Sequence, residues 1–251
     1  MAKNKGKMSV GAKILLAICL IVFCGSGYFL ADYFLKAHQA QSGFEKLKTA
    51  EDGSGGRDLT DLYRQNNDLI GWVCIDGTKI DYPVMQTKDE GQDPEYYLHR
   101  NFEKEYSDAG TPFMDAASDI YIPTSNWLIY GHHMRSGIMF HDLVKYEDED
   151  FYEEHPVFRF DTITGTGSGE YQIIAAGYSK VYPKGSNAFK YYQYGGITTE
   201  EDFNDYLAGV KQLSLYDTGE TAVYGDQLVT LSTCAYQTDN GRFFVVGKLV
   251  R

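Results

Sequence analysis

Cysteine and clustered positive charge are scarce in this sequence. Four cysteines occur among 251 residues, whereas small secreted scaffolds that depend on disulfides normally carry more. The formal net charge is −12, and binding to nucleic-acid phosphates requires clustered Lys and Arg. The sequence therefore argues against a disulfide scaffold and against a nucleic-acid partner.

The remaining composition is that of a globular protein. Hydrophobic residues make up 43% and charged residues 23% of the chain, which excludes a disordered or collagen-like protein. Aromatic residues reach 15%, including 21 tyrosines, as is typical of β-rich folds with half-buried surfaces. The length predicts one domain or at most two.

Charge is distributed unevenly along the chain. Residues 1–31 contain four lysines and no acid, whereas the other 19 basic residues face 35 acidic ones, so residues 32–251 carry about −16. Ile14 to Ala31 has no formal charge, and as a helix it would span about 27 Å, nearly the hydrocarbon thickness of a bilayer. The positive-inside rule then predicts a cytoplasmic basic tail (1–13), a transmembrane signal anchor (14–31) and an exported remainder.

A cleaved signal peptide is the alternative interpretation of this N-terminus. No clear small-residue cleavage site follows the apolar run, which continues to Leu35, so we favour an uncleaved anchor. Residues 37–57 are polar and end in a glycine-rich stretch, which predicts a flexible stalk over residues 32–57. Residues 58–251 are left as one folded domain.

Short strands separated by turns dominate the exported chain. Alternating apolar patterns predict strands at 71–75, 78–84, 127–130, 171–176, 227–234 and 242–250. Thr199 caps a predicted helix that extends to about residue 213, and a short amphipathic helix begins near Asp58 or Thr60. Many short strands with few helices favour a β-barrel or a sandwich.

A cysteine, an arginine and a histidine pair are the candidates for chemistry. Cys234 ends one predicted strand and Arg242 opens the next, so antiparallel pairing would bring both to the same end of the sheet. A guanidinium there would stabilise a thiolate or a developing oxyanion. His132 and His133 follow strand 127–130 and Gly131, and either would serve a thiol nucleophile as proton acceptor and donor.

Each signal alone also has a plainer interpretation. Cys234 would be an inert buried residue, a disulfide partner of Cys74, or an unpaired thiol. Arg242 would form an ordinary surface ion pair. His132 and His133 would be polar loop residues or metal ligands, although adjacent histidines on an extended chain point in opposite directions.

Three segments together resemble one enzyme family. Thr230-Leu-Ser-Thr-Cys234, followed by Arg242, resembles the active-site segment of sortases. Asn126-Trp-Leu-Ile-Tyr-Gly-His-His-Met134, followed by Gly137-Ile-Met-Phe140, resembles the histidine segment of class B sortases, and Asn67 to Gln86 also resembles that class. The resemblance covers about residues 60–251.

The resemblance implies a fold and a reaction. Sortases are membrane-anchored cysteine transpeptidases, related to thiol proteases and hydrolases, of Gram-positive bacteria. The family implies a mainly β fold, an eight-stranded barrel with an N-terminal helix and a helix-containing insertion before the cysteine strand. These enzymes cleave a C-terminal sorting motif of a surface protein through a thioacyl intermediate and join it to a peptidoglycan amine. No cofactor or metal is implied.

The resemblance also assigns residues. By position, Cys234 matches the nucleophile, His132 the general acid and base, and Arg242 the residue that stabilises the oxyanion and positions the substrate. Ser232, Thr233, Tyr182 and Tyr192 are candidate substrate contacts, the tyrosines lying in the insertion 178–226 that corresponds to a wall of the substrate groove. His133 would at most support the site, and Asp239 is expected to be solvated rather than to orient His132.

Three other functions use parts of the same pattern. An exported thiol endopeptidase would release the cleaved protein to water with the same residues. An inert surface-binding module would reuse the barrel, and a metal-binding exported protein would use the histidines. For the transpeptidase, the expected partners are a sorting-motif-bearing surface protein, a peptidoglycan precursor amine and the cytoplasmic membrane, with no nucleic acid.

Overall fold

The computed structural model describes residues 9–48, 56–87, 91 and 93–250. Its α-helices are α1 (Val10–Leu47), α2 (Thr60–Gln65), α3 (Glu149–Glu154) and α4 (Glu200–Leu213). Its strands are β1 (Leu69–Cys74), β2 (Asp81–Met85), β3 (Phe113–Met114), β4 (Asn126–Tyr130), β5 (Val157–Thr162), β6 (Gly169–Lys180), β7 (Leu228–Cys234) and β8 (Gly241–Leu249). Most of the predicted cytoplasmic tail lies outside the described residues.

The eight strands close into a barrel. Their order around it is β1-β2-β3-β4-β7-β8-β6-β5, and β5 pairs back to β1. The β2–β3 and β4–β7 pairs are parallel and the others antiparallel. This confirms the predicted mainly β fold, an eight-stranded barrel with an N-terminal helix and a helix in the insertion before the cysteine strand.

Strand β7 shows how sequence alternation builds two layers of core. Val229 and Leu231 point into the barrel, where they join a cluster that includes Trp127 and Val245. Leu228 faces outward into a second cluster beneath α4. An eight-stranded barrel has an interior just wide enough to be filled by such side chains, so β7 is buried on both faces.

The insertion of residues 181–227 forms the outer layer. Its helix α4 begins where the Thr199 hydroxyl accepts a hydrogen bond from the backbone N–H of Asp202, as the sequence predicts. The Tyr206 hydroxyl bonds the Thr230 hydroxyl, which itself donates to the side-chain oxygen of Asn126 at 2.8 Å. The polar residues on the outer face of β7 are therefore satisfied by the layer that covers them.

Helix α1 extends much further than the sequence suggested. The prediction of a flexible stalk over residues 32–57 differs from the structure, because α1 continues through Leu47, and only residues 49–55 of that stretch lie outside the described residues. Ala37, Phe44 and Leu47 recur at helical spacing and are buried against the barrel. Polar residues separate the members of this apolar stripe in the sequence, so the sequence pattern did not indicate a helix there.

All four cysteines lie in the described part of the chain, and no disulfide bond links any of them. Cys19 and Cys24 are exposed on α1, within the predicted anchor. Cys74 ends β1 and Cys234 ends β7. Of the two open alternatives for Cys74 and Cys234, the structure shows two thiols.

We expect Tyr206→Phe to destabilise the protein by about 1–2 kcal/mol, because it removes a hydrogen-bond donor to the buried Thr230 hydroxyl. The matched control is Tyr224→Phe, whose hydroxyl donates to the Thr198 carbonyl at an exposed site and should change stability by less than about 0.5 kcal/mol. Urea unfolding of the two variants measures the difference. Equal effects would contradict the role given to the buried pair.

Candidate active site

Cys234 and Arg242 lie directly opposite each other. They are register partners in the antiparallel β7–β8 pair, and both are half-buried. Residues opposite each other in such a pair project on the same face of the sheet, here the outer face beneath the insertion. The structure therefore brings the thiol and the guanidinium together at one end of the barrel.

A buried tyrosine packs beside this pair. The Tyr191 hydroxyl lies 2.6 Å from the Ser232 hydroxyl, and its ring is buried against Phe244. Burial raises the pKa of Tyr191, while the hydrogen bond to Ser232 and the positive charge of Arg242 oppose that rise. The phenol thus stays neutral and lies within electrostatic range of the site. The tyrosine-rich insertion was the only sequence signal for it.

His132 reaches the same face by way of the parallel β4–β7 pair. Tyr130 is the register partner of Ser232, and the N–H of Gly131 donates to the Ser232 carbonyl at 3.0 Å. If strand alternation is continued for two residues beyond the end of β4, His132 falls on the face of Cys234. The candidate acid and base therefore enters the site from the neighbouring strand.

The hydrogen bonding of His132 identifies its tautomer. Its Nε2 lies 2.9 Å from the carbonyl oxygen of Leu98, and a carbonyl only accepts, so Nε2 carries the proton and Nδ1 is left to accept one. Burial lowers the pKa of His132, the Leu98 bond partly offsets this, and neighbouring His99, whose ring lies 5.5 Å away, lowers it further. The neutral imidazole is the favoured form at neutral pH.

The His133 side chain contacts the backbone of β7. Its Nδ1 lies 2.9 Å from the carbonyl oxygen of Cys234, and the Tyr236 hydroxyl donates to the His133 carbonyl at 2.8 Å. The ring packs edge-on against His141 at 4.8 Å. Burial lowers the pKa of His133, its bond to the Cys234 carbonyl opposes this, and His141 adds to the lowering. Sequence reasoning missed this backbone contact.

Ser232 and Thr233 differ from their predicted role as substrate contacts. Both side chains are buried, Ser232 with its hydroxyl on Tyr191 and Thr233 with its hydroxyl donated to the Gly131 carbonyl at 2.7 Å. Their hydrogen-bonding capacity is used inside the protein, so they hold the β7 end in place. The motif placed them next to Cys234, but it carried no information on what covers them.

The two other candidate substrate contacts are partly exposed at the same end of the barrel. Tyr182 lies two residues beyond the end of β6, and its backbone N–H donates to the Tyr192 hydroxyl at 2.9 Å. The preceding residue, Val181, is bonded to Asn240 in the loop between β7 and β8. The two tyrosines thus border the loop that joins Cys234 to Arg242.

Asp239 is not the hydrogen-bond partner of His132 Nε2. Asp239 is exposed in the loop that follows β7, while His132 is bonded to Leu98 instead. In the part of the chain that the structure describes, no three His, Cys, Asp or Glu side chains are grouped so as to hold a metal ion.

Comparison with known proteins identifies the family of this chain. No family model matches the chain. It is 39% identical over 195 residues to sortase B of Listeria monocytogenes, which covers 77% of this chain and 74% of that protein. The chain belongs to the sortase B family. Its members are cysteine transpeptidases, and so is this chain.

Other sortase B proteins agree with this assignment. The sortase B of Staphylococcus aureus is 28% identical over 248 residues, 95% of each chain. Among solved structures, the Staphylococcus aureus sortase B–substrate complex matches with a TM-score of 0.69 and 26% identity over 86% of this chain and 99% of that one. The Listeria monocytogenes sortase B structure matches with a TM-score of 0.63 and 38% identity, over 76% and 99%.

The lowered pKa values of the two histidines predict acid sensitivity. A group whose pKa is lower in the folded state binds more protons when unfolded, so its stabilising effect is present above its ordinary value of 6.5 and is lost as the pH falls below it. We expect the free energy of unfolding to fall between about pH 7.5 and 5, and to fall less in His133→Asn, where the amide N–H replaces Nδ1–H. Urea unfolding across that range measures this, and equal slopes would contradict it.

Proposed function

We propose that this sortase B is anchored in the cytoplasmic membrane, cleaves a sorting motif near the C-terminus of a surface protein and joins that protein to a peptidoglycan amine. The observation that carries the proposal is the pairing of Cys234 with Arg242, with His132 two residues beyond the end of the strand that pairs with β7 on its other side. These are the thiol, the cation and the acid–base group that acyl transfer by a cysteine enzyme requires.

The first half-reaction transfers the acyl group to the enzyme. The Cys234 thiol gives its proton to Nδ1 of neutral His132, and the resulting thiolate attacks the carbonyl carbon of the motif's threonine to form a tetrahedral oxyanion. Arg242 stabilises this charge and orients the peptide. As the C–N bond breaks, His132 in its protonated form gives its proton to the leaving amine, and a thioacyl enzyme remains.

The second half-reaction releases the product. The acceptor amine attacks the thioacyl carbon, neutral His132 accepts the amine's proton at Nδ1, and Cys234 leaves as the thiolate. The burial that lowers the pKa of His132 favours the neutral form needed here. Its N–H bond to Leu98 leaves Nδ1 as the nitrogen that exchanges protons.

The insertion supports the peptide-binding part of the proposal. Tyr182 and Tyr192 are half-buried beside the β7–β8 loop, where their partly exposed side chains would contact a bound peptide. A relative with 26% identity has been solved as a substrate complex, and its fold covers most of this chain.

The apolar half of α1 supports membrane anchoring. One helix in the described part of the chain is long and apolar enough to cross a bilayer, and the side chains of its apolar window are not buried in protein. With residues 14–31 in the membrane and the lysines inside, the barrel lies on the outer surface. That is where a peptidoglycan amine is available.

A peptide assay with the full chain in detergent tests the reaction. Labelled sorting-motif peptides are incubated with and without an amine acceptor, and the expected amide product requires the amine. Cys234→Ala should lower the rate by roughly three orders of magnitude or more, whereas Cys74→Ala is the matched control that keeps it. Cleavage without amide product would indicate the endopeptidase instead, and the lack of a thioacyl adduct with every peptide would contradict both.

Arg242 is tested by replacement with Ala and with Lys. We expect Arg242→Ala to keep the fold and to lower kcat/KM about 10²–10³-fold, because an oxyanion donor is lost. Arg242→Lys should recover only part of the rate, since an ammonium lacks the planar donor fork. Steady-state kinetics and circular dichroism provide both readouts. Unchanged kinetics in Arg242→Ala would remove this residue from the mechanism.

A further inference from the structure

The loop that carries His132 is closed on itself. Residues 132–139, here called the histidine loop, connect β4 to a 3-10 helix that begins at Phe140. The N–H of Phe140 donates to the His132 carbonyl at 2.9 Å, and His133 pairs with Met139 in an antiparallel bridge. The backbone position of His132 therefore depends on the far end of its own loop.

Helix α1 contacts this loop directly through Tyr33. The Tyr33 hydroxyl accepts a hydrogen bond from the backbone N–H of Ser136 at 3.1 Å. Met134, two residues earlier in the loop, borders the same cleft of about 470 Å³ as Tyr33 and Phe44 of α1. The middle of the histidine loop thus lies against the helix.

A second connection passes through Tyr82 of β2. The backbone N–H of Met139 donates to the Tyr82 hydroxyl at 3.1 Å, and that hydroxyl donates to the side-chain oxygen of Gln41 on α1 at 2.8 Å. Tyr82 is fully buried, so its hydroxyl depends on these protein partners. Gln41 thereby fixes the direction in which Tyr82 presents its lone pair to the loop.

Met139 is the residue that most needs such support. Its φ of 60° and ψ of −137° lie outside the regions that a residue with a side chain normally adopts. A strained conformation of this kind persists only where the surrounding structure holds it. Here the bond to Tyr82 and the burial of the Met139 side chain hold the backbone at the end of the histidine loop.

The helix is docked firmly enough to act as that support. Phe44 packs edge-on against the Tyr82 ring at 5.2 Å, and Lys48 forms an ion pair with Asp81 at 2.9 Å. Ala37 and Leu47 are buried on the same stripe. Tyr33 and Gln41 therefore project from a surface that is fixed relative to β2.

We propose that residues 32–47 of α1, which follow the proposed anchor, position the histidine loop through Tyr33 and Gln41. They thereby set the placement of His132 relative to Cys234. Both side chains act through the loop, so they are positioning residues. The inference rests on the proposed function in assigning His132 to proton transfer. The helix that carries the proposed anchor thus also contributes to the geometry of the active site.

The test compares two double variants of the full chain in detergent. Tyr33→Phe/Gln41→Leu removes both hydrogen-bonding groups, while Tyr28→Phe/Gln39→Leu makes the same changes at exposed positions of the same helix. Amide hydrogen exchange is followed in peptides from residues 132–140 and from β7. Peptide transfer is measured as kcat and KM, with His132→Ala as the reference for loss of the acid–base group.

We expect faster exchange in residues 132–140 of Tyr33→Phe/Gln41→Leu, with β7 unchanged. We also expect kcat to fall roughly tenfold at nearly constant KM, because a misplaced acid–base group slows chemistry more than binding. The control pair should match the wild type in both readouts. Unchanged loop exchange, equally faster exchange in β7, or unchanged kcat would each overturn the proposal. Full activity in His132→Ala would instead contradict the role of His132 in the proposed function. The exchange data test only the support of the loop, so the two failures can be told apart.

Discussion

The lateral hydrogen bonding of β7 between β4 and β8 is the constraint on which the site depends. Its antiparallel register with β8 sets Arg242 opposite Cys234, and its parallel register with β4 brings His132 to the same end. A slip of one residue would turn every side chain of the strand to the other face. The buried bonds from Tyr191 and Tyr206 to β7 hydroxyls hold that register from outside the barrel.

The parts of the molecule that follow from local pattern were predictable. Alternation over 227–234, the apolar run from Arg242 and the Thr199 cap correspond to β7, β8 and α4. The motif containing Cys234 and Arg242 identified which strand ends meet. Local sequence was sufficient at these places because propensity, alternation and the cap all favour the same structure.

Features that depend on contacts distant in sequence were not predictable in this way. The partner of His132 is the carbonyl of Leu98, 34 residues earlier, and β3 has only two residues, too few for any alternation. The burial of Ser232 depends on an insertion whose packing no local pattern reports. The stripe on α1 was hidden because its apolar members are separated by polar residues such as Gln41.

A continuous α1 restricts the reach of the enzyme above the membrane, compared with a flexible stalk. With residues 14–31 in the bilayer, as proposed, α1 rises about 24 Å between Ala31 and Leu47 and is docked on the barrel over much of that length. A flexible tether would let the barrel sweep a hemisphere above the membrane. With the proposed anchor, a docked helix would hold the barrel at one height and in one orientation above the membrane. In the proposed arrangement, both reaction partners would have to come to a fixed layer just above the lipid surface.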